Sequence, residues 1–323
     1  MCCFMNFVKE GRHMPTAKES WIEIVIQTPS EMSDAISNFL EELGTRGVFQ
    51  EEGVEDSFEN LQASREYEEL KAYLADDTEV EGKLDALRGY IRSLSELFPD
   101  TKRPTFTTST IVDPDWAERW KKYFKPLRIS KNIVVKPTWE RYNPESGDII
   151  VDIDPGMAFG TGQHASTRLC INAIEDIILK DKPYHGWNVL DVGTGTGILA
   201  ICCIKLGAEH VTAIDVDPQA VDIAGKNVII NGVADKIDIM NREATMVRSA
   251  FNLIVANLTA PTLINLQEQL SSMIEPGGYL VASGITDMYI NQIEKVFKAD
   301  DIAIYERLAE KEWVCFVFKK KDA

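Results

Sequence analysis

The sequence predicts an α/β protein in which a mostly parallel sheet follows a smaller α+β domain. From residue 167 onward, helical and strand patterns alternate, which is typical of crossover units with helices on both faces of a parallel sheet. Residues 21–112 instead read as strand, helix, strand, helix and strand, an order that favours a ferredoxin-like domain. A length of 323 residues suits about two domains.

The elements of the first domain follow from periodicity and from capping residues. Residues 21–27 alternate as a half-buried strand does. Helix-start chemistry at residues 28–31 and a terminal Gly44 bound a helix with one apolar face. A short apolar run predicts a strand at Val48–Gln50. Apolar residues spaced by three and four predict a helix at Glu79–Leu97, and a segment rich in β-branched residues predicts a strand at Thr105–Val112.

Segment boundaries divide the chain into four parts. They are a poorly patterned extension at 1–19, in which the natural start is either Met1 or Met14, an α+β domain at 20–112, a linker at 113–130 and a catalytic domain at 131–323. In the linker, residues 113–115 cap a short helix that ends at Pro126. Its aromatic residues have the spacing of packing residues, so the helix is interpreted as a connection between domains.

The second domain alternates strands with helices and ends in a hairpin. Its predicted strands are Asn132–Lys136, Asp148–Ile153, Asn188–Val192, His210–Ile214, Ile237–Met240, Leu253–Ala256 and Tyr279–Ser283. The predicted helices are Ser166–Leu179, Ile198–Leu206, Pro218–Asn231 and Pro261–Met273. The hairpin of Ile302–Leu308 and Trp313–Phe318 adds one antiparallel strand to the sheet.

Composition and charge exclude several classes of function. The formal net charge is −17, and residues 21–110 contribute −12 of it, so direct nucleic-acid binding is not expected. Because no apolar run approaches the length of a membrane helix or of a signal peptide, we expect a cytoplasmic protein without membrane contact. The six cysteines form no C-x-x-C pair, and the four histidines are scattered, so free thiols and no metal are predicted.

The segment VLDVGTGTGILAI carries glycines between a buried strand and a helix, which is typical of an adenosine-binding turn. Its glycines are Gly193, Gly195 and Gly197, whereas a dinucleotide fingerprint needs its third glycine where Ile198 stands. A pyrophosphate is therefore disfavoured. Asp215 ends the next strand, where a carboxylate accepts both hydroxyl hydrogens of a free ribose. S-adenosylmethionine has that ribose and no phosphate, so we predict it as the cofactor.

Asn257 ends the strand of the segment FNLIVANLTAP. Because ligands bind at the carboxyl ends of parallel strands near a switch point, we expect Asn257 to converge with Gly193 and Asp215. Its amide oxygen suits an incoming amine, whose lone pair it would orient toward the methyl group. A turn asparagine without a catalytic role is the alternative.

The segments DPGMAFGTGQHAST, DVGTGTGILAI, IDVDPQAV and VANLTAP together resemble the bacterial ribosomal protein L11 methyltransferase family, and the similarity covers roughly residues 21–320. This resemblance implies a class I, Rossmann-like methyltransferase sheet. It also implies methylation of lysine side chains and of the N-terminal amine of ribosomal protein L11, which the N-terminal domain recognises. By motif, the family's cofactor contacts fall on Thr167, Gly193, Asp215 and Asn257. The family's G-T-G-T-H-P-T-T loop is altered here at Gln163, Ala165 and Ser166, which leaves the identity of the target amines open.

Methyl transfer needs a neutral amine, and neutralising a lysine at pH 7 costs about 5 kcal/mol. We expect the loop from Asp154 to His164, with apolar Met157 and Phe159, to cover the cofactor site and to remove water from the amine. His164 either shuttles a proton or holds the loop by a hydrogen bond. Three alternatives stay open, namely an NAD-dependent dehydrogenase, a methyltransferase with another protein or small-molecule acceptor, and a non-catalytic module that binds a basic partner.

Overall fold

A computed structural model describes residues 20–45, 48–51, 67–99, 101–111, 124–154, 162–180, 186–298 and 301–322. The N-terminal extension with Met1 and Met14, the predicted helix before Pro126 up to residue 123, and Phe159 lie outside these residues. The chain divides into two units, residues 1–123 and 124–323. The boundary falls within the segment predicted as a linker.

In its described residues, the first unit contains a four-stranded antiparallel sheet and two helices. Its elements are β1 (Trp21–Pro29), α1 (Ser30–Glu42), β2 (Val48–Glu51), β3 (Tyr67–Ala75), α2 (Val80–Leu97) and β4 (Thr105–Ile111). The strand order β2-β3-β1-β4 is that of a ferredoxin-like fold, which confirms the predicted class. The sequence prediction missed β3, although Leu70, Ala72 and Leu74 alternate as buried residues of that strand.

The helices of the first unit cover one face of its sheet. Ile24 and Ile26 of β1 are fully buried against Ile36 of α1 and Leu87 of α2. Gly44 has φ +77°, a left-handed conformation in which glycine follows the end of α1, as predicted.

The second unit contains a seven-stranded sheet and a three-stranded sheet. Its strands are β5 (Leu127–Arg128), β6 (Ile133–Lys136), β7 (Ile149–Asp152), β8 (Asn188–Val192), β9 (His210–Asp215), β10 (Ile237–Asn241), β11 (Phe251–Asn257), β12 (Ile274–Thr286), β13 (Ile302–Glu310) and β14 (Trp313–Lys320). Its helices are α3 (Ala165–Lys180), α4 (Ile198–Leu206), α5 (Pro218–Ile230), α6 (Ala260–Met273) and α7 (Ile290–Val296).

The large sheet has the order β10-β9-β8-β11-β12-β14-β13, with β14 antiparallel to both of its neighbours. The mostly parallel sheet with one antiparallel hairpin strand is therefore confirmed. Alternate residues of each strand enter two separate cores, as Val189 and Leu190 of β8 do. The helices α3, α4 and α5 cover one face, and α6 and α7 cover the other.

Several elements of the second unit were not predicted. Leu127–Arg128, inside the predicted linker at 113–130, is a short strand that pairs with Val134 and Val135. The short helix α7 and the small sheet of β5, β6 and β7 were not predicted. Four cysteines are buried free thiols, as expected, namely Cys170, Cys202, Cys203 and Cys315. Within the described ranges, no helix has the length and apolar character needed to cross a membrane.

Candidate functional site

The glycine turn after β8 adopts conformations that favour glycine. Gly193, Gly195 and Gly197 have φ values of +72°, +55° and +81°. The backbone N–H of Gly193 donates to the Ile214 carbonyl at 2.9 Å, which fixes the turn against β9. A Cβ at Gly193 would lie 2.5 Å from Cδ2 of Leu258, so a side chain at this position would require Leu258 to move. The turn thus brings bare backbone to the carboxyl edge of the sheet.

Asp215 faces this turn from the end of β9. Its Oδ2 accepts the Gly195 N–H at 3.0 Å and its Oδ1 accepts the Asp217 N–H at 2.9 Å. Each carboxylate oxygen has two lone pairs, so both keep acceptor capacity for a ligand. Asp217 instead caps α5 by accepting the Gln219 N–H at 2.8 Å. The two carboxylates therefore differ in role, and Asp215 is the one at the turn.

Asp191 is a buried carboxyl group beneath the turn. Its Oδ2 accepts the Thr194 hydroxyl at 2.7 Å and the Ala200 N–H at 3.1 Å. Its Oδ1 is buried and has no hydrogen-bond partner. Burial raises the pKa of Asp191 to about 7, and the nearby charge of Asp215 adds to the rise, while the two hydrogen bonds oppose it. The sequence placed Asp191 at this strand end without showing its shifted protonation equilibrium.

Asn257 ends β11 and contacts the first turn of α3. Its Nδ2 donates to the Thr167 hydroxyl at 3.2 Å, and Thr167 is only 1% exposed. The Asn257 Oδ1 lies against Gly284, where a Cβ would come within 3.1 Å of it. Because β8 is flanked by β9 and β11, the ends that carry Gly193, Asp215 and Asn257 are neighbours at the point where the strand order reverses. The roles of these residues stay a prediction.

His164 is fixed by contacts on two sides. Its Nδ1 lies 2.7 Å from the Ser166 hydroxyl and accepts the Ser166 N–H at 3.2 Å. Its ring packs edge-on against Trp313 with 4.5 Å between centroids. Burial, followed by the charge of Arg168, lowers the pKa of His164 to about 4. The imidazole is therefore neutral at pH 7 and is a weak base, which favours the holding role over the proton shuttle.

Two asparagines of α5 and its C-terminal cap connect the glycine turn to β7, and sequence reasoning missed them. Asn227 donates to the Thr196 carbonyl at 2.8 Å, and it accepts the Asp154 N–H at 3.0 Å. One turn later, Asn231 accepts the Asp152 N–H at 3.0 Å and donates to its carbonyl at 2.6 Å. Their spacing of four residues on a predicted helix placed them on one face, which was the available signal.

A mostly parallel sheet whose strand order reverses at β8, with a glycine turn, a carboxylate and an asparagine at that point, is the arrangement of a class I, Rossmann-like methyltransferase. The family model of the ribosomal protein L11 methyltransferases (PrmA) matches residues 20–321. The chain belongs to this family. The family match adds that its cofactor is S-adenosylmethionine.

Relatives and a solved structure agree with this membership. The chain is 37% identical over 311 residues to a ribosomal protein L11 methyltransferase of Geotalea uraniireducens, which covers 94% of this chain and 98% of the relative. It is 38% identical over 303 residues to that of Geotalea daltonii, covering 91% and 96% of the two chains. The crystal structure of a ribosomal protein L11 methylase from Lactobacillus delbrueckii subsp. bulgaricus matches with a TM-score of 0.57 at 32% identity, over 61% of this chain and 100% of that one.

Proposed function

We propose that this chain transfers methyl groups from S-adenosylmethionine to ribosomal protein L11, at lysine side chains and at the N-terminal amine. The observation that carries the proposal is the family match over residues 20–321, which includes most of both units. The Geotalea relatives named for this substrate also align over nearly their whole length. A match limited to the catalytic sheet would support methyl transfer without indicating an acceptor.

The glycine turn and its carboxylates suit the cofactor. Both oxygens of Asp215 retain acceptor capacity after one backbone hydrogen bond each, which matches the two hydroxyls of a ribose. Gly193 and Gly195 allow close approach of a ligand to the backbone, and Asp191 presents a buried oxygen without a partner. We assign Gly193, Gly195 and Asp215 to cofactor binding. When bound, S-adenosylmethionine supplies an electrophilic methyl group on its sulfonium.

We assign Asn257 to orienting the acceptor amine, and Thr167 and Asn257 to contact with the cofactor, as the family resemblance implies. Asn257 donates one of its two amide hydrogens to the Thr167 hydroxyl, which orients the amide, and its amide oxygen can accept a hydrogen bond from an incoming amine. Holding the amine in line with the methyl group removes much of the entropic barrier. A water-poor site also favours the neutral amine, because burial disfavours a charged ammonium. We assign His164 to fixing Ser166, since its lowered pKa makes it a weak base.

Residues 20–112 are assigned to substrate recognition. Residues 21–110 carry a net charge of −12, which would steer a basic protein toward this unit. A ribosomal protein substrate also implies that the enzyme acts in the cytoplasm.

The experiment is intact mass spectrometry of ribosomal protein L11 after incubation with the enzyme and S-adenosylmethionine. We expect mass increments of whole methyl groups, and peptide mapping should place them on lysines and on the N-terminus. Asp215→Ala should weaken cofactor binding in calorimetry by about tenfold or more, because hydrogen bonds to a charged group are lost. Asp217→Asn retains the helix cap and should bind normally. A wild-type enzyme that binds the cofactor but leaves L11 unmodified would refute this acceptor and indicate another protein or a small molecule.

A further inference from the structure

The first turn of α3 carries a cation where a helix favours anions. Arg168 is the fourth residue of α3, and this turn contains no acidic residue. The partial positive charge of a helix N-terminus repels a guanidinium there. Local helix stability therefore does not explain an arginine at this position, so its partners must.

Those partners lie on the C-terminal hairpin and on the segment just before the helix. Nε of Arg168 donates to both carboxylate oxygens of Glu310, at 3.1 and 3.2 Å, and Nη2 donates to Oε1 as well. Nη1 donates to the Gln163 carbonyl. Only 24% of the Arg168 side chain and 37% of the Glu310 side chain are exposed. Such a forked arrangement fixes orientation as well as distance, which a single exposed ion pair does not do.

The segment between Gln163 and Arg168 contains Thr167, whose side chain contacts Asn257 of the candidate site. Thr167 directly precedes Arg168, and its hydroxyl accepts the Asn257 amide at 3.2 Å. The hairpin also packs Trp313 against His164, while Ser283 of β12 donates to the Ser166 carbonyl at 3.1 Å. The first turn of α3 is thus held between the hairpin and β12.

We propose that Arg168 and Glu310 are positioning residues, whose ion pair fixes the first turn of α3 against the C-terminal hairpin and thereby holds the Thr167 hydroxyl at Asn257. The expected effect on turnover rests on the proposed function, in which Asn257 orients the acceptor amine. The effect on Asn257 itself does not depend on that function.

The same hairpin offers a matched control. Arg307 of β13 forms an ion pair with Glu294 of α7, with Nη1 and Oε1 3.4 Å apart. The side chains of this pair are 52% and 38% exposed, and their ion pair joins β13 to α7 rather than to α3. Arg307→Gln therefore removes an ion pair from β13, the strand that carries Glu310, without removing the ion pair that holds the first turn of α3.

The first measurement is the side-chain amide NMR signal of Asn257, assigned with Asn257→Asp. We expect the signal to shift in Arg168→Gln and in Glu310→Gln, and to stay in place in Arg307→Gln. Thermal unfolding by circular dichroism checks that each variant is folded. Unshifted Asn257 signals in both folded variants of the pair would overturn the proposal. This readout needs no acceptor, so a failure of L11 methylation leaves it decisive.

The second measurement is steady-state methylation. Arg168→Gln and Glu310→Gln should each lower kcat by about tenfold, with KM for S-adenosylmethionine within about twofold of the wild-type value. The double variant should be no slower than either single variant, because the two residues act as a pair. Arg168→Lys keeps the charge but lacks the fork, so we expect it to remain as slow as Arg168→Gln. Full recovery by lysine, or an equal loss in Arg307→Gln, would contradict the positioning role.

Discussion

Gly284 offers the sharpest test of how the acceptor side of the site is built. It has φ +82° and lies in β12 where the register with β14 shifts. A Cβ at this position would lie 2.4 Å from the Leu258 carbonyl oxygen and 3.1 Å from Oδ1 of Asn257. Because the first of these atoms belongs to the backbone, it cannot rotate away. Gly284→Ala must therefore displace the end of β11 and with it Asn257.

Gly232→Ala is the matched control. Gly232 has φ +66°, and a Cβ added there would meet no described atom within 4 Å apart from those of its chain neighbours. Both alanine variants lose roughly 1 kcal/mol to the left-handed backbone conformation. Overlap in a packed site adds about 1 to 3 kcal/mol for Gly284→Ala. The free energy of unfolding should thus fall by about 1 kcal/mol in the control and by about 2 to 4 kcal/mol in Gly284→Ala.

The assays are urea unfolding and methylation kinetics on the same preparations. A catalytic group displaced by an ångström loses about a hundredfold in rate, so kcat should drop steeply in Gly284→Ala and stay near the wild-type value in Gly232→Ala. The reasoning fails if the two variants lose equal stability and Gly284→Ala retains wild-type kcat.

Three further changes have defined outcomes. Burial raises the pKa of Asp191 from 3.8 to about 7, so ionisation of Asp191 in the unfolded chain lowers the stability of the wild-type fold by about 3 kcal/mol as pH rises from 4 to 7. Asp191→Asn should remove this loss. In urea unfolding at pH 5 and pH 8, the free energy of unfolding of the variant relative to that of the wild type should therefore be higher at pH 8. Asn227→Ala leaves the Thr196 carbonyl without its donor and should cost about 2 kcal/mol or more in the same assay, whereas exposed Asn241→Ala should cost less. Lys311 has φ +53° in the hairpin turn, so Lys311→Gly should raise the thermal midpoint through a gain of about 0.5 to 1 kcal/mol; an unchanged or lower midpoint would contradict this.

The parallel sheet was predictable because its strands are buried on both faces, and the helix α5 carries a clear capping signal at Asp217 and Pro218. Predicting the buried strand at Asn188–Val192 and the helix after Asp217 requires no knowledge of tertiary contacts. The strand β3 was missed because its alternation at Leu70, Ala72 and Leu74 directly follows a long acidic stretch and lies among the charged residues Glu68, Glu69 and Lys71. A strand of two residues such as β5 depends on its pairing partner, and it is too short to show the alternation of apolar and polar residues that predicts a strand.

The site was predictable only where a residue's place follows from the end of a strand. Gly193, Asp215 and Asn257 follow from that rule. The contact between Arg168 and Glu310 joins residues 142 positions apart in the chain, and the unpartnered oxygen of Asp191 depends on what surrounds it. Neither feature has a local pattern, because each arises from packing between elements.

Leu258 joins the two sides of the site, and its contacts predict different consequences on each side. Its side-chain Cδ2 lies against Gly193 on the predicted cofactor side, while its backbone carbonyl lies against Gly284 on the predicted acceptor side. A methyl group at Gly193 meets a side chain that can rotate, whereas one at Gly284 meets backbone that cannot. Gly193→Ala should therefore act mainly at the glycine turn, on cofactor affinity, while Gly284→Ala acts through Asn257 on turnover. The two glycines lie against one leucine, and we predict that they control separate steps of the reaction.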